Sequence, residues 1–329
     1  MKENNSIIIV LIDNFIWIII LGMLVSVTFF IPSFLTIRNV INIFYHSAAL
    51  AILVLGETFV IVTGNIDLSV EPSLGISVAI PGLLAMVWVP QTNIPTWIFV
   101  LIALCIGSVI GLINGIFITK VKINSFLMTL SMYVILYGFL YYLVPKSLDN
   151  IYPKYGWLGN FILGIPSSIF LVISLYVLFG ILLYQSTFGR ILFATGENKI
   201  AALIAGIKID NIVIIAYVIS GALASVAGLI ILGRNIFISN NMGSGLLFMT
   251  IAASVLGGAR LEGGTCSVLG AFGGVILITI IDNILAMCDV SPYLVYTIKG
   301  LLIFLAVWID SYRERIRKAF LIKKVKIIT

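Results

Sequence analysis

Long apolar stretches alternate with short polar breaks along the whole chain. A helix that crosses the hydrocarbon layer of a membrane needs about 20 apolar residues at about 1.5 Å each. About ten stretches approach that length, and the pattern predicts a span in each of 13–31, 40–62, 70–88, 97–119, 124–144, 165–185, 211–232, 246–258, 264–286 and 292–310. The eighth stretch is short, and GGARLEGG joins it to the ninth, which indicates a half-helix and a turn. The pattern therefore predicts an all-α membrane protein, with residues 1–329 forming one polytopic bundle.

Composition supports a membrane protein and excludes several kinds of site. Of the 329 residues, 61% are hydrophobic and only 10% are charged, which is too few charged side chains to cover a soluble domain. The stretch 15–31 lacks the small-residue cleavage site of a secretory signal, so we expect it to be a retained first span. The cysteines are far apart and indicate packing residues, with neither a disulfide framework nor a metal site: Cys105, Cys266 and Cys288. His46 is the only histidine, and we expect it to be a polar group between helices, with no metal bound by this chain.

The placement of basic residues predicts the direction of the spans, because cytoplasmic loops are enriched in Lys and Arg. With a cytoplasmic amino terminus, the cytoplasmic side holds 14 of the 19 basic residues: Lys2, Lys120, Lys122, Arg190, Lys199, Lys208, Arg260, Arg313, Arg315, Arg317, Lys318, Lys323, Lys324 and Lys326. The outer side then holds Arg38, Lys146, Lys154 and Arg234, and Lys299 falls inside the last span. We therefore expect both termini to be cytoplasmic.

The predicted orientation of the spans places three segments on the cytoplasmic side. They are the amino terminus 1–12, the long loop 186–210 and the basic tail 311–329. A basic tail next to a membrane is interpreted as an anchor on anionic lipid, and no nucleic acid is expected as a partner.

Glycines at four-residue spacing predict close helix packing. Gly107, Gly111 and Gly115 lie on one face of the fourth stretch, and Gly270 and Gly274 repeat the spacing in the ninth. Such faces let two backbones approach closely in a membrane, and we interpret them as packing surfaces without a substrate role.

The polar break GNIDLSV, residues 64–70, separates two apolar stretches. Gly64 and Asn65 are predicted to form the turn that ends the second span. Ser69 is the predicted N-cap of the third span, and Glu71 lies in its first turn. Asp67 is left over. A carboxylate at the bilayer centre costs about 2.5–3.5 kcal/mol on insertion scales, so it should face water, a partner or a cavity.

Two interpretations of Asp67 remain open. It either ties the turn to neighbouring helix ends near the cytoplasmic surface or contributes to a translocation pathway or its gate. The candidates for the pathway or gate are Glu57, Asn65, Asp67 and Asn114.

The long cytoplasmic loop contains a second unusual segment, NKIAALIAGI. It predicts a short helix with the small residues Ala201, Ala202 and Ala205 before a stop at Gly206. A helix with a small face is suited to docking in a cleft of another protein. The alternative is an interfacial helix that lies on lipid.

Four stretches in matching order resemble the ribose/xylose/arabinose/galactoside-type ABC transporter permeases. They are TFVIVTGNIDLSV, SVIGLINGIFITKVKINSFLMTLSM, FATGENKIAALIAGI and the segment from SVLGGARLEGGTCSVLG to LLIFLAVWID, over about residues 40–310. The resemblance implies a type II importer-like fold in the bacterial cytoplasmic membrane and a permease dimer of identical or paralogous chains. It also implies two ATPase domains that use ATP and Mg²⁺, and a periplasmic or lipoprotein solute-binding protein. It assigns ATPase contact to Gly196, Glu197, Asn198, Ala201, Ala202 and Gly206.

The chain departs from the pattern of this family at two places. Glu71 and Pro72 stand where members usually have glycine, and Glu57 stands where many have a neutral residue. GxxxxGK[ST] is absent from the sequence, so we do not expect this chain to be the ATPase itself. The resemblance implies a permease subunit that is not an enzyme.

Two other classes of protein are alternatives. A secondary transporter or channel driven by an ion gradient needs charges within the membrane, for which the candidates are Glu57, Asp67, Asp282 and Lys299. A membrane enzyme needs a nucleophile and base or a metal constellation, and the sequence offers none. The particular sugar stays open.

Overall fold

The computed structural model of the protein describes residues 15–90, 94–149 and 151–291, and of the last apolar stretch residues 293–295, 297–301, 304, 305 and 308. The predicted amino-terminal segment 1–12, the basic tail 311–329 and most of the tenth predicted span lie outside the described residues.

The described part is built mostly of α-helices. Its α-helices are α1 Phe15–Phe30, α2 Ile37–Val62, α3 Val70–Leu83, α4 Thr96–Thr119, α5 Ser125–Leu143, α6 Ser167–Gln185, α7 Thr187–Glu197, α8 Lys199–Ile204, α9 Ile209–Asn235, α10 Leu246–Leu256 and α11 Val268–Met287. A wider π turn, Leu84–Trp88, continues α3. A 3₁₀ helix, Pro153–Gly159, and an antiparallel hairpin of β1 Phe161–Ile162 and β2 Ile165–Pro166 connect α5 to α6.

Seven helices of the described residues are long and apolar enough to cross a membrane. They are α2, α3 with its π turn, α4, α5, α6, α9 and α11, whereas α1 and α10 are shorter. The all-α membrane class is confirmed. The predicted half-helix and turn are also confirmed, because α10 has 11 residues and is followed by a turn over 257–267. The total of about ten spans and the cytoplasmic termini stay predictions.

Helix α9 lies at the centre of the bundle, against α2, α3 and α4. Its contact with α4 uses the predicted glycine face. A Cβ built on Gly107 would lie 2.2 Å from the carbonyl oxygen of Gly221, and one built on Gly111 would lie 2.1 Å from that of Tyr217. The backbones of α4 and α9 therefore touch, and the predicted close packing is confirmed. Gly274 of α11 packs in the same way on Ala253 of α10.

A second close contact joins three chain segments at the end of α2. The Gly264 amide donates to the Val62 carbonyl oxygen at 2.9 Å, and a Cβ built on Gly196 would lie 1.7 Å from the same oxygen. A Cβ built on Gly263 would lie 2.7 Å from the Gly64 nitrogen. We call Val62, Gly64, Gly196, Gly263 and Gly264 the glycine junction. It connects α2 and the following turn to the end of α7 and to the turn after α10.

Candidate functional site

The polar break after α2 is a tight turn held on both sides. Gly64 has a φ of +73°, a conformation that glycine adopts without strain. The Asn65 amide donates to the side-chain oxygen of Thr63 at 2.8 Å, and the Tyr217 hydroxyl of α9 donates to the Ile66 carbonyl oxygen at 3.0 Å. The turn is thereby fixed to α9 and leads directly into α3.

Asp67 is the centre of a buried hydrogen-bond network. Its amide donates to Glu57 Oε1 of α2 at 3.1 Å. Its Oδ1 accepts from the Ser69 amide and hydroxyl at 3.0 and 2.6 Å, and its Oδ2 accepts from the Ser220 hydroxyl of α9 at 3.2 Å. Asn114 of α4 donates to the Ser69 hydroxyl oxygen at 2.8 Å. We call these five residues the Asp67 network, and it connects the turn to α2, α4 and α9.

Ser69 occupies the predicted N-cap position, but the prediction that its side chain caps the helix is wrong. Helix α3 begins at Val70 and Ser69 precedes it, yet the Ser69 side chain caps no amide of the helix. Its φ and ψ of −81° and −5° are helical, whereas a capping serine has an extended backbone that turns its oxygen towards the first amides. The hydroxyl instead donates to Asp67.

The electrostatics of the network follow from complete burial. Asp67 is 1% exposed, and its burial raises the pKa of this carboxyl, while the hydrogen bonds from Ser69 and Ser220 act in the opposite direction. Glu57 Oε2 and Asn114 Oδ1 are buried and have no hydrogen-bond partner among the described residues. Within that part of the chain, no group of three or more His, Cys, Asp or Glu side chains is arranged to hold a metal ion.

The structure brings together three of the four pathway candidates and separates the fourth. Glu57, Asp67 and Asn114 belong to one network, whereas Asn65 is only partly buried and bonds locally to Thr63. Ser220 was missed. A lone serine in an apolar helix is expected to bond to its own helix backbone, and only the position of α9 shows its true partner.

Glu71 is a second residue whose role the sequence did not indicate. It lies in the first turn of α3 as predicted, and it is 3% exposed. Its Oε2 accepts from the Leu247 amide in the first turn of α10 at 2.8 Å, and its Oε1 accepts from the Tyr137 hydroxyl of α5. A carboxylate at a helix amino terminus is stabilised by the free amides and the helix dipole. Glu71 therefore ties α3 and α5 to α10.

The segment 196–206, which we call the coupling segment, contains the predicted short helix α8. Asn198 Oδ1 accepts from the Ala201 amide at 3.0 Å, and Gly206 follows the helix with a φ of +79°. Of the three predicted small residues, Ala201 and Ala205 are exposed, whereas Ala202 is buried against the chain at 4% exposure. The exposed side chains of α8 include three large apolar ones: Ile200, Leu203 and Ile204.

Two further pairs of polar side chains connect helices of the bundle. Lys299 Nζ lies 3.1 Å from Asp282 Oδ2, so these two candidates for an ion site form an ion pair. His46 Nδ1 of α2 lies 3.1 Å from Arg234 Nη1 of α9, which confirms that His46 is a polar group between helices.

We expect Asp67→Ala to lower both stability and uptake. The hydroxyls of Ser69 and Ser220 lose their acceptor, and each buried unsatisfied donor costs about 1–3 kcal/mol. The thermal midpoint of the purified chain should therefore fall, and uptake per folded protein should fall as well. Asp149→Ala removes an exposed aspartate and serves as the control, with neither quantity changed. Normal uptake by Asp67→Ala at equal protein level would leave Asp67 with a structural role only.

The fold and the site define a polytopic helical membrane protein with a buried polar network and a short exposed helix between two spans. Residues 39–307 match the family described as branched-chain amino acid transport system, permease component, and the chain belongs to that family.

Curated relatives are similar along nearly the whole chain. The galactose/methyl galactoside import permease protein MglC of Escherichia coli K12 is 32% identical over 321 residues, which cover 92% of this chain and 95% of that protein. The ribose import permease protein RbsC of Bacillus subtilis 168 is 33% identical over 305 residues, 91% of this chain and 92% of that protein. RbsC of Escherichia coli K12 is 30% identical over 289 residues, which cover 86% of this chain and 88% of that protein.

Proposed function

We propose that the chain is the membrane-spanning permease subunit of an ATP-binding cassette importer in the bacterial cytoplasmic membrane. Its cargo is a monosaccharide or a related small polar solute. The observation that carries this proposal is the family match over 39–307, together with the ribose and galactoside import permeases among the relatives. A separate ATPase subunit supplies the energy from ATP and Mg²⁺. A solute-binding protein delivers the cargo, and a second permease copy or paralogue completes a dimer.

The exposed face of α8 supports contact with the ATPase. Leu203 and Ile204 are 60% and 84% exposed, although they lie in a connection between spans where polar residues are expected. Burying such side chains in a partner contributes about 1.5–3 kcal/mol for each large apolar residue that becomes fully buried. Ala202 instead anchors α8 to the chain, and Gly196, Glu197, Asn198, Ala201 and Gly206 shape the ends and the outer surface of the coupling segment.

The glycine junction supports transmission of movement from the coupling segment to the Asp67 network. Gly196 is in backbone contact with Val62, and Gly263 is in backbone contact with Gly64. Contacts between backbones contain no flexible side chain that would absorb a displacement, because packed interiors are nearly incompressible. A shift of α7 and α8 therefore moves the turn that carries Asp67.

We assign the gate of an alternating-access cycle to this turn and its neighbours. Glu57, Asp67 and Asn114 hold the turn against α2, α4 and α9, and Asn65 stiffens its first residues. Buried polar networks are costly when only partly satisfied, so such a network favours two discrete arrangements over a continuum. ATP-driven closure of the partner would select between them.

One observation favours a second candidate, an ion-gradient-driven secondary transporter or channel. Glu57 is completely buried and has an oxygen without a partner among the described residues, which is typical of a proton site in transporters. In that case a protonophore would abolish uptake, and depletion of ATP would not.

Uptake by the reassembled importer tests the proposed function. The chain is expressed with its ATPase and solute-binding protein in cells that lack other sugar importers, and labelled D-ribose, D-xylose, L-arabinose and D-galactose are offered. We expect ATP-dependent accumulation of at least one of them. Failure to accumulate any of the four would contradict the assignment to monosaccharide import.

A further inference from the structure

A cavity of about 310 Å³ lies between the end of α9 and the start of α10, away from the Asp67 network. Its volume is at the lower end of the range of about 300–1,000 Å³ that is typical of small-molecule sites. Its wall combines polar and apolar side chains in about equal measure, and the residues used in the argument are Arg234, Asn235, Phe237, Ser239, Asn241 and Ser244.

The wall offers the groups that recognise hydroxyls. Two amides and two hydroxyls can donate and accept hydrogen bonds, and the guanidinium adds several donors in a fixed plane. Within the wall, the Ser239 hydroxyl donates to Asn241 Oδ1 at 2.8 Å, which leaves the Asn241 amino group to face a solute. Phe237 is 39% exposed and presents an apolar surface on which the C–H groups of a sugar ring can pack. No acidic side chain is among the described residues that line the cavity, so it carries a positive charge from Arg234.

Arg234 is held in position by its neighbours. Its Nη1 lies 3.1 Å from His46 Nδ1, and its Nε donates to Asn235 Oδ1 at 3.4 Å. These contacts engage two of the five N–H groups of a guanidinium, which leaves the others available to a solute.

The wall segment itself is fixed at both ends. Ile238 exchanges two backbone hydrogen bonds with Leu148, at 2.8 and 3.1 Å. At the other end, the Glu71 carboxylate binds the Leu247 amide at the start of α10. A site whose walls are fixed before the solute arrives loses less entropy on binding.

We propose that this cavity is a binding site for a small polyhydroxylated solute on the outer side of the membrane, where the transported molecule is first received. This inference rests on the proposed function and adds to it a place and a recognition chemistry. The outer location follows from the distribution of basic residues, in which Arg234 is among the few on the outer side.

Cysteine labelling in right-side-out membrane vesicles that contain the whole importer tests the proposal. Asn241→Cys and Ser244→Cys place a thiol on the exposed part of the wall, where a substitution has little effect on folding. We expect a membrane-impermeant maleimide to label both from outside. Each transported sugar should slow the labelling in proportion to occupancy, about tenfold at about ten times its dissociation constant.

Two control positions separate solute binding from other effects. Ser147→Cys lies in the exposed connection after α5, outside the cavity, and should be labelled from outside at one rate with or without sugar. Thr187→Cys lies in the long loop at the opposite side and should be labelled only after the vesicles are opened. The parent chain with its three native cysteines gives the background that is subtracted.

The outcomes distinguish this proposal from the proposed function. If a sugar is transported but slows the labelling of neither Asn241→Cys nor Ser244→Cys, the cavity is not its binding site. Labelling of both variants only after the vesicles are opened overturns the outer location. If D-ribose, D-xylose, L-arabinose and D-galactose are all left untransported, the proposed function fails and this inference fails with it.

Discussion

Leu203→Arg is expected to reduce ATP-driven uptake to background while the chain still folds and inserts. Leu203 is exposed on α8, so a charged side chain fits without disturbing the bundle. The same charge enters the apolar surface that the ATPase would cover, where an unpaired buried charge is strongly unfavourable. Copurification of the ATPase with the chain measures the contact directly, and we expect it to be lost.

The matched control adds the same charge elsewhere on the same predicted side. Val121 is 57% exposed, lies between Lys120 and Lys122, and is outside the coupling segment. Val121→Arg should retain both uptake and the bound ATPase. Normal uptake and copurification with Leu203→Arg would show that α8 lies on lipid instead, which is the alternative for an amphipathic surface helix.

Ala202 is a less suitable position than Leu203 for this test. The resemblance assigns Ala202 to the ATPase contact, but its side chain is buried within this chain. Ala202→Arg would force a charge between α8 and the bundle, so a loss of uptake would not distinguish lost docking from lost folding. Leu203→Arg avoids this ambiguity.

Gly111→Leu is expected to prevent formation of the native bundle. A Cβ on Gly111 would lie 2.1 Å from the Tyr217 carbonyl oxygen and 2.7 Å from its carbonyl carbon, so α4 and α9 must separate. Both of these atoms belong to the backbone, so neither can move aside as the end of a flexible side chain could. Overpacking usually costs about 1–3 kcal/mol, and we expect about 3 kcal/mol or more here because backbone must move. The monodisperse fraction after solubilisation and the thermal midpoint measure the effect.

Gly138→Leu is the control for this change. Gly138 also lies in a membrane-spanning helix, α5, but a Cβ there meets no atom within 4 Å. We expect yield and thermal midpoint to match those of the unchanged chain. Equal stability of Gly111→Leu and Gly138→Leu would mean that α4 and α9 do not touch through the glycine face.

Positions of the helices and of the glycine contact were predictable from the sequence. The stretch 40–62 predicts α2 to within three residues at its start, and the short stretch 246–258 predicts α10. These successes have one cause. Each spanning segment must satisfy its backbone within itself and present apolar side chains to lipid or to neighbouring helices, so the signal is local.

Partners across the bundle were not predictable, because they depend on how helices far apart in the chain are arranged. Asp67 meets Ser220 across 153 positions, and Glu71 meets Leu247 across 176. The sequence indicated that Asp67 needs a partner, but a single sequence contains no information on which helix supplies it. The inward direction of Ala202 was missed for the same reason.

The most direct test of the central claim is uphill uptake by purified components in proteoliposomes. The chain is reconstituted alone, under an imposed proton or sodium gradient, and also with its ATPase, ATP, Mg²⁺ and solute-binding protein. We predict accumulation of sugar only with the ATPase and ATP present, and no effect of a protonophore on it. Accumulation by the chain alone, driven by the ion gradient and abolished by the protonophore, would contradict the claim that this permease is driven by a partner ATPase.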